Sequence, residues 1–148
     1  VIVDGCDGSG KTTLCKQYEK VNDFDYVHFA KPDENFSPII YYNLILSAGD
    51  RIFDRSFYSE LVYSKYYERK SFLFDDDVDA LESILNYRDA ETNFLIVSPE
   101  LAALSLWGDD VKEFDVEKLE KIKTAYEFYA NKKSKNKKKI ITRGYQNA

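Results

Sequence analysis

A glycine-rich stretch near the start of the chain has the residue types and the spacing of a phosphate-binding loop. Eight consecutive residues match the pattern G-x-x-x-x-G-K-[ST] at every fixed position, between an apolar segment and a helical one. Glycines let backbone N–H groups turn inward around an anion, and the helix N-terminus adds positive charge. The ammonium of Lys11 would reach the outer phosphates, and the hydroxyl of Thr12 would hold Mg²⁺. The pattern predicts binding of ATP with magnesium. The predicted triphosphate contacts are Gly5, Asp7, Gly8, Ser9, Gly10, Lys11, Thr12 and Thr13.

An acidic and a basic residue follow the third predicted strand. A loop of this kind needs a carboxylate for its magnesium, and the carboxyl end of a neighbouring parallel strand can supply one. We expect Asp54 there as a metal-binding group, and Arg55 beside it could grip two oxygens of a second phosphate. The predicted catalytic residues are therefore Lys11, Asp54 and Arg55. The alternative is that Asp54 caps the next helix and Arg55 pairs with Glu60 at the surface.

Strand-like and helix-like segments alternate through the 148 residues, without a repeat or a long linker. This alternation favours a mostly parallel sheet flanked by helices, and together with the glycine-rich loop it predicts a three-layer α/β fold of the P-loop NTPase type with five parallel strands. The length suits a single domain over 1–148. The predicted strands are 1–3, 26–29, 51–53, 94–97 and 139–142, and the predicted helices are 11–19, 38–47, 58–69, 78–87, one starting at 98–100, and 116–130.

Composition excludes several classes of function. The net charge of −5 argues against binding to a nucleic-acid duplex, and the six lysines between positions 132 and 139 are predicted to form a solvated turn. No apolar run reaches the length of a membrane span. Cys6 and Cys15 do not form a disulfide framework and suit a reducing cytoplasm. His28, alone in a predicted strand, is expected to be a packed core histidine.

These residues resemble the thymidylate kinase family of nucleoside monophosphate kinases. The loop at 4–13 is similar to the first motif of that family, and residues 54–63, DRSFYSELVY, resemble its second, D-R-Y-x-x-S-x-x-A-Y. Looser matches follow at 99–102 and 121–126. The resemblance implies transfer of the ATP γ-phosphoryl group to a deoxynucleoside monophosphate, with dTMP as the first candidate. It also leaves a homodimer open.

The resemblance also implies roles for individual residues. Asp7 would contact the sugar 3'-hydroxyl, Arg55 the acceptor phosphate, and Ser59 and Tyr63 the base and deoxyribose. Lys31 stands about where the family has an arginine after the second strand. The lid would span about 106–113, where this chain has no arginine, and Ser105 replaces the arginine that leads into it.

Two alternatives remain open. Deoxynucleoside kinases have a similar second motif, E-R-S, but a nucleoside acceptor has a neutral 5'-hydroxyl and needs a carboxylate base. Lys31 after the second strand suits an acceptor that already carries a phosphate, whereas Glu34 is close enough to serve the other. The second alternative is a nucleotide-binding P-loop protein with little kinase activity, which the lid without arginine supports.

Overall fold

Five parallel strands form one sheet in the order β2-β3-β1-β4-β5. The computed structural model describes residues 1–29, 39–47, 49–68, 70–71, 73–105 and 116–143. The strands are β1 (Ile2–Gly5), β2 (Asp25–His28), β3 (Arg51–Asp54), β4 (Glu91–Val97) and β5 (Lys137–Arg143). The predicted five-stranded parallel sheet is confirmed. The predicted lid at 106–113 and Lys31 lie outside the described residues, and the single domain over 1–148 stays a prediction.

The helices lie on both faces of this sheet. They are α1 (Lys11–Asn22), α2 (Ile39–Leu46), α3 (Phe57–Tyr66), α4 (Asp75–Tyr87), α5 (Pro99–Ser105) and α6 (Val116–Phe128), and a π-helical turn at Tyr129–Lys133 follows α6. Successive strand residues point to opposite faces. Ile52 and Leu95 therefore pack with Cys15 of α1, whereas Phe53 and Phe94 pack among α3, α4 and α6. No helix in the described ranges is long and apolar enough to cross a bilayer.

Local signals explain several element boundaries. Ser98 lies directly before α5, and its hydroxyl accepts a hydrogen bond from the Leu101 amide at 3.3 Å, as an N-cap residue does. The prediction that residues 132–139 form one solvated turn is wrong in part, because β5 already begins at Lys137. The parallel register pairs Lys137 with Glu91 of β4, whose carboxylate lies 3.5 Å from the ammonium of Lys139. An opposite charge on the neighbouring strand thus lets lysines enter a strand.

Candidate functional site

The glycine-rich loop joins the end of β1 to the start of α1 at the carboxyl edge of the sheet. Gly10 precedes the helix with a φ of 90°, in the left-handed region that favours glycine. A Cβ atom on Gly5 would lie 2.5 Å from the carbonyl oxygen of Leu95, so the close approach of β1 and β4 requires glycine here as well. The Leu14 amide donates to the carbonyl of Gly10 at 3.1 Å. The three helical amides that precede it lie at the start of α1, where N–H groups have no intrahelical acceptor.

The side chain of Lys11 is buried inside this loop. Its ammonium donates to the carbonyl of Cys6 at 2.6 Å and lies 3.5 Å from the Ser9 hydroxyl. Burial lowers the pKa of Lys11, and the positive charge of Arg55 lowers it further. A lysine ammonium has three N–H donors, so one that is bound chiefly to a single carbonyl retains the capacity to bind a phosphate.

Asp54 lies at the end of β3, fully buried and directed at the start of α1. Its Oδ2 atom accepts hydrogen bonds from the Tyr26 hydroxyl at 2.6 Å and the Thr12 hydroxyl at 2.8 Å. Burial by itself would raise the pKa of Asp54, but these hydrogen bonds and the charge of Lys11 hold it below its ordinary value. Asp54 does not cap α3, because the side chain of Ser56 accepts the bond from the helical amide of Tyr58.

The other carboxylate oxygen of Asp54 offers a place for a metal-bound group. Oδ1 is buried and has no hydrogen-bond partner among the residues that the structure describes. Buried polar atoms normally have a partner, and Mg²⁺ prefers oxygen ligands and retains several of its waters. An unpartnered carboxylate oxygen next to a threonine hydroxyl therefore fits Mg²⁺, directly or through one of its waters.

Arg55 reaches the glycine-rich loop through its side chain. Its backbone is left-handed, with a φ of 74°, an uncommon conformation for a residue with a side chain. The guanidinium pairs with the carboxylate of Asp7 and lies 5.7 Å from the ring centroid of Tyr63. The Tyr63 hydroxyl accepts a hydrogen bond from the Asp7 amide at 3.1 Å. Asp7, Arg55 and Tyr63 are thus brought together, and the alternative of a surface pair with Glu60 is wrong, because Glu60 is only 2% exposed.

Ser59 lies in a buried hydrogen-bond network around Asp4. Its hydroxyl and its amide both donate to the carboxylate of Asp4, at 2.6 and 3.2 Å. The hydroxyls of Ser56 and Tyr126 donate to the same carboxylate at 2.6 and 3.0 Å. The network ties β1, the turn that carries Arg55, α3 and α6 to one side chain. The predicted contact of Ser59 with a base or sugar stays a prediction.

Three residues of this site did not emerge from the sequence. Asp4 and Tyr26 had no assigned role, and the expectation of a packed core histidine at 28 is wrong, because the side chain of His28 is 49% exposed. His28 ends the edge strand β2, with its Nδ1 atom 3.5 Å from Oδ2 of Asp54. The period of two along β2 places Tyr26 and His28 on one face, which is the available sequence signal for both.

Solved structures share this architecture. The YorR protein from Bacillus subtilis, in complex with phosphorylated GDP, aligns with a TM-score of 0.80 and 19% sequence identity, over 95% of this chain and 84% of that chain. Deoxyadenosine kinase from M. mycoides with bound dATP aligns with a TM-score of 0.59 and 16% identity, over 95% and 89% of the two chains. The structure of the same kinase with bound dCTP aligns with a TM-score of 0.60 and 19% sequence identity, over 95% of this chain and 89% of that chain. No protein-family model and none of the curated proteins matches the chain. At these identities the likeness establishes the fold alone, a five-stranded parallel sheet of the P-loop type flanked by helices.

Proposed function

We propose that this chain is an ATP-dependent nucleotide kinase that transfers the γ-phosphoryl group to a deoxynucleoside monophosphate, with dTMP as the first acceptor to test. The observation that carries the proposal is that two consecutive side chains at the end of β3 point to different partners. Asp54 points to Thr12 at the start of α1, and Arg55 points to Asp7 of the loop. One carboxylate thus reaches the residue after Lys11, and one guanidinium reaches the loop before it, where a donor and an acceptor phosphate would each need a partner.

The loop would hold the donor. Its backbone amides and Lys11 would bind the β- and γ-phosphates of ATP, and Thr12 and Asp54 would hold Mg²⁺. The metal, when bound, would neutralise charge that develops on the transferred group. Lys11 would exchange the carbonyl of Cys6 for phosphate oxygens, which is favourable because a buried ammonium gains more from an anion than from a neutral carbonyl.

Arg55 would hold the acceptor. A phosphate with a charge near −2 would compete with the Asp7 carboxylate for the guanidinium, and Asp7 would then be free to accept a hydrogen bond from the sugar. Tyr63 would lie against the deoxyribose, and Lys31 would supply a second cation. Ser59 would help to hold the turn that carries Arg55, because it shares Asp4 with Ser56 of that turn. The predicted contact of Ser59 with the base is also part of the proposal. An acceptor phosphate is already ionised at neutral pH, so positioning and charge neutralisation would suffice without a protein nucleophile.

A deoxynucleoside acceptor is the second candidate. The likeness to deoxyadenosine kinase and the Arg55-Ser56 pair of the second motif favour it. With either acceptor, we expect the protein to act in the cytoplasm, and a homodimer remains part of the proposal.

A coupled assay of ADP release tests the proposal across a panel of deoxynucleosides and their monophosphates. We expect turnover that depends on a monophosphate, and an Arg55→Ala variant with a raised acceptor KM and unchanged ATP affinity. Arg51→Ala is the matched control, because Arg51 lies at the opposite end of β3 and donates to the carbonyl of Leu44. Turnover with nucleosides only would favour the second candidate. ATP binding without any acceptor-dependent turnover would instead indicate a nucleotide-binding protein with little kinase activity.

A further inference from the structure

The hydroxyl of Tyr26 makes the shortest hydrogen bond to the carboxylate of Asp54. Tyr26 lies on β2, which pairs in parallel with β3, and its oxygen is 2.6 Å from Oδ2. Burial and this hydrogen bond raise the pKa of Tyr26 to about 12, so the hydroxyl remains a donor over the physiological range. The ammonium of Lys16 lies 3.9 Å from the centroid of the Tyr26 ring and holds the ring from α1.

The bonds to Asp54 are distributed unequally between its two oxygens. Oδ2 accepts from Tyr26 and Thr12, and the Nδ1 atom of His28 also lies on this side at 3.5 Å. Oδ1 is buried and has no partner within the described ranges. A carboxylate that is fixed through one oxygen cannot rotate freely about its Cβ–Cγ bond, so its second oxygen has a defined direction. If Thr12 turned its hydroxyl toward a metal, Tyr26 would still hold Oδ2 in place.

We propose that Tyr26 is a positioning residue for the metal, whose hydroxyl holds Oδ2 of Asp54 so that Oδ1 is presented to the Mg²⁺ of bound MgATP. The proposal rests on the proposed function in one respect, namely that the chain binds MgATP at this loop. Tyr26 itself touches neither the nucleotide nor the metal. Its removal should therefore weaken the contribution of the metal and leave the binding of the triphosphate by the loop unchanged.

Tyr26→Phe and a matched control separate this role from simple packing. Tyr42→Phe is the control, because the Tyr42 hydroxyl also donates to a carboxylate, that of Asp77 at 2.9 Å, and the pKa of Tyr42 is likewise raised to about 12 by burial and by that bond. The Tyr42 bond joins α2 to the start of α4 and contacts none of the loop residues. Both variants keep the aromatic ring and lose one hydroxyl–carboxylate bond.

Isothermal titration calorimetry of ATP, in magnesium buffer and in EDTA, gives the measurement. The gain in ATP affinity on adding Mg²⁺ should fall roughly tenfold in Tyr26→Phe, the usual scale for a residue that orients a metal ligand. Affinity in EDTA should be unchanged in Tyr26→Phe, and Tyr42→Phe should match the wild type in both buffers. A magnesium gain in Tyr26→Phe equal to that of the wild type would overturn the proposal, as would equal weakening in the two buffers. A wild type that binds no ATP in either buffer would overturn the proposed function as well.

Discussion

Replacing Asp4 by Asn should destabilise the protein and disturb the turn that carries Arg55. The carboxylate is fully buried and accepts five hydrogen bonds from the residues that the structure describes. Oδ1 accepts from the Gly5 amide at 2.8 Å, and Oδ2 from the Ser59 amide at 3.2 Å. The other three donors are hydroxyls, which can rotate. Asn has only one carbonyl oxygen, so either orientation turns an NH₂ group toward a backbone amide that cannot rotate away.

The magnitude follows from these five bonds. One backbone N–H left unpaired in the interior costs about 1–3 kcal/mol, and loss of the charge weakens the remaining bonds, for a total of about 2–5 kcal/mol. In a chain of this length each kcal/mol lowers the Tm by about 2–4 °C. Tyr126→Phe is the matched control. It removes one donor, leaves Asp4 with four, and should cost only about 1–2 kcal/mol.

Thermal and urea unfolding of both variants, together with acceptor kinetics, tests this reasoning. We expect Asp4→Asn to unfold well below Tyr126→Phe and to raise the acceptor KM more than the ATP KM, because Ser56, which follows Arg55, loses its charged partner. Equal stabilities for the two variants would refute the account of Asp4 as the shared acceptor. An unchanged acceptor KM in a destabilised Asp4→Asn protein would instead show that the network does not position Arg55.

The remaining predictions concern the loop and a second buried carboxylate. Gly5→Ala should lower the free energy of unfolding by about 2–5 kcal/mol, since the new Cβ would meet the Leu95 carbonyl at 2.5 Å. Gly49 also has a positive φ, 106° against 156° for Gly5, but no atom lies within 4 Å of its Cβ position, so Gly49→Ala should lose less. Equal losses would exclude the steric cause. Lys11→Ala should abolish ATP-dependent turnover, and full activity in that variant would refute the assignment of the loop. Burial raises the pKa of Glu82 above its ordinary value of 4.5, so its contribution to stability is fully present below that value and is lost as the pH rises through the native pKa. The Tm of the wild type should therefore fall relative to the Tm of Glu82→Gln as the pH rises from about 4 toward 7. A Tm difference that does not change with pH would contradict a raised pKa for Glu82.

Patterns of adjacent residues predict the loop well, because its chemistry depends on backbone amides from one continuous segment. The spacing from Gly5 to Thr12, between a strand and a helix, is sufficient without knowledge of tertiary contacts. The place of Asp54 and Arg55 beside the loop was also predictable, because the end of a parallel strand is a defined place in such a sheet, whereas their catalytic roles stay predictions. The parallel sheet itself follows from the alternation of strand-like and helix-like segments.

The surroundings of Asp54 and Asp4 depend instead on strand order and on distant helices. Tyr26 can reach Asp54 only because β2 lies beside β3, and a local pattern does not reveal which strands are neighbours. His28 was assigned to the core because a lone histidine in a strand does not show that the strand is at an edge. Tyr126 reaches Asp4 across 122 positions of sequence. The resemblance to a family motif assigned Ser59 to the substrate. In the structure, Ser59 lies three residues after Ser56, a spacing that puts both serines on the same side of the helix start, and both hydroxyls donate to Asp4.

The most direct test of the central claim is a crystal structure with a nonhydrolysable ATP analogue, Mg²⁺ and dTMP. We expect the dTMP phosphate at about 2.7–2.9 Å from the guanidinium of Arg55, with the carboxylate of Asp7 displaced from that guanidinium. The triphosphate would occupy the loop on the side of Lys11. A dTMP phosphate bound elsewhere, with Arg55 still paired to Asp7, would contradict the assignment of Arg55 to the acceptor.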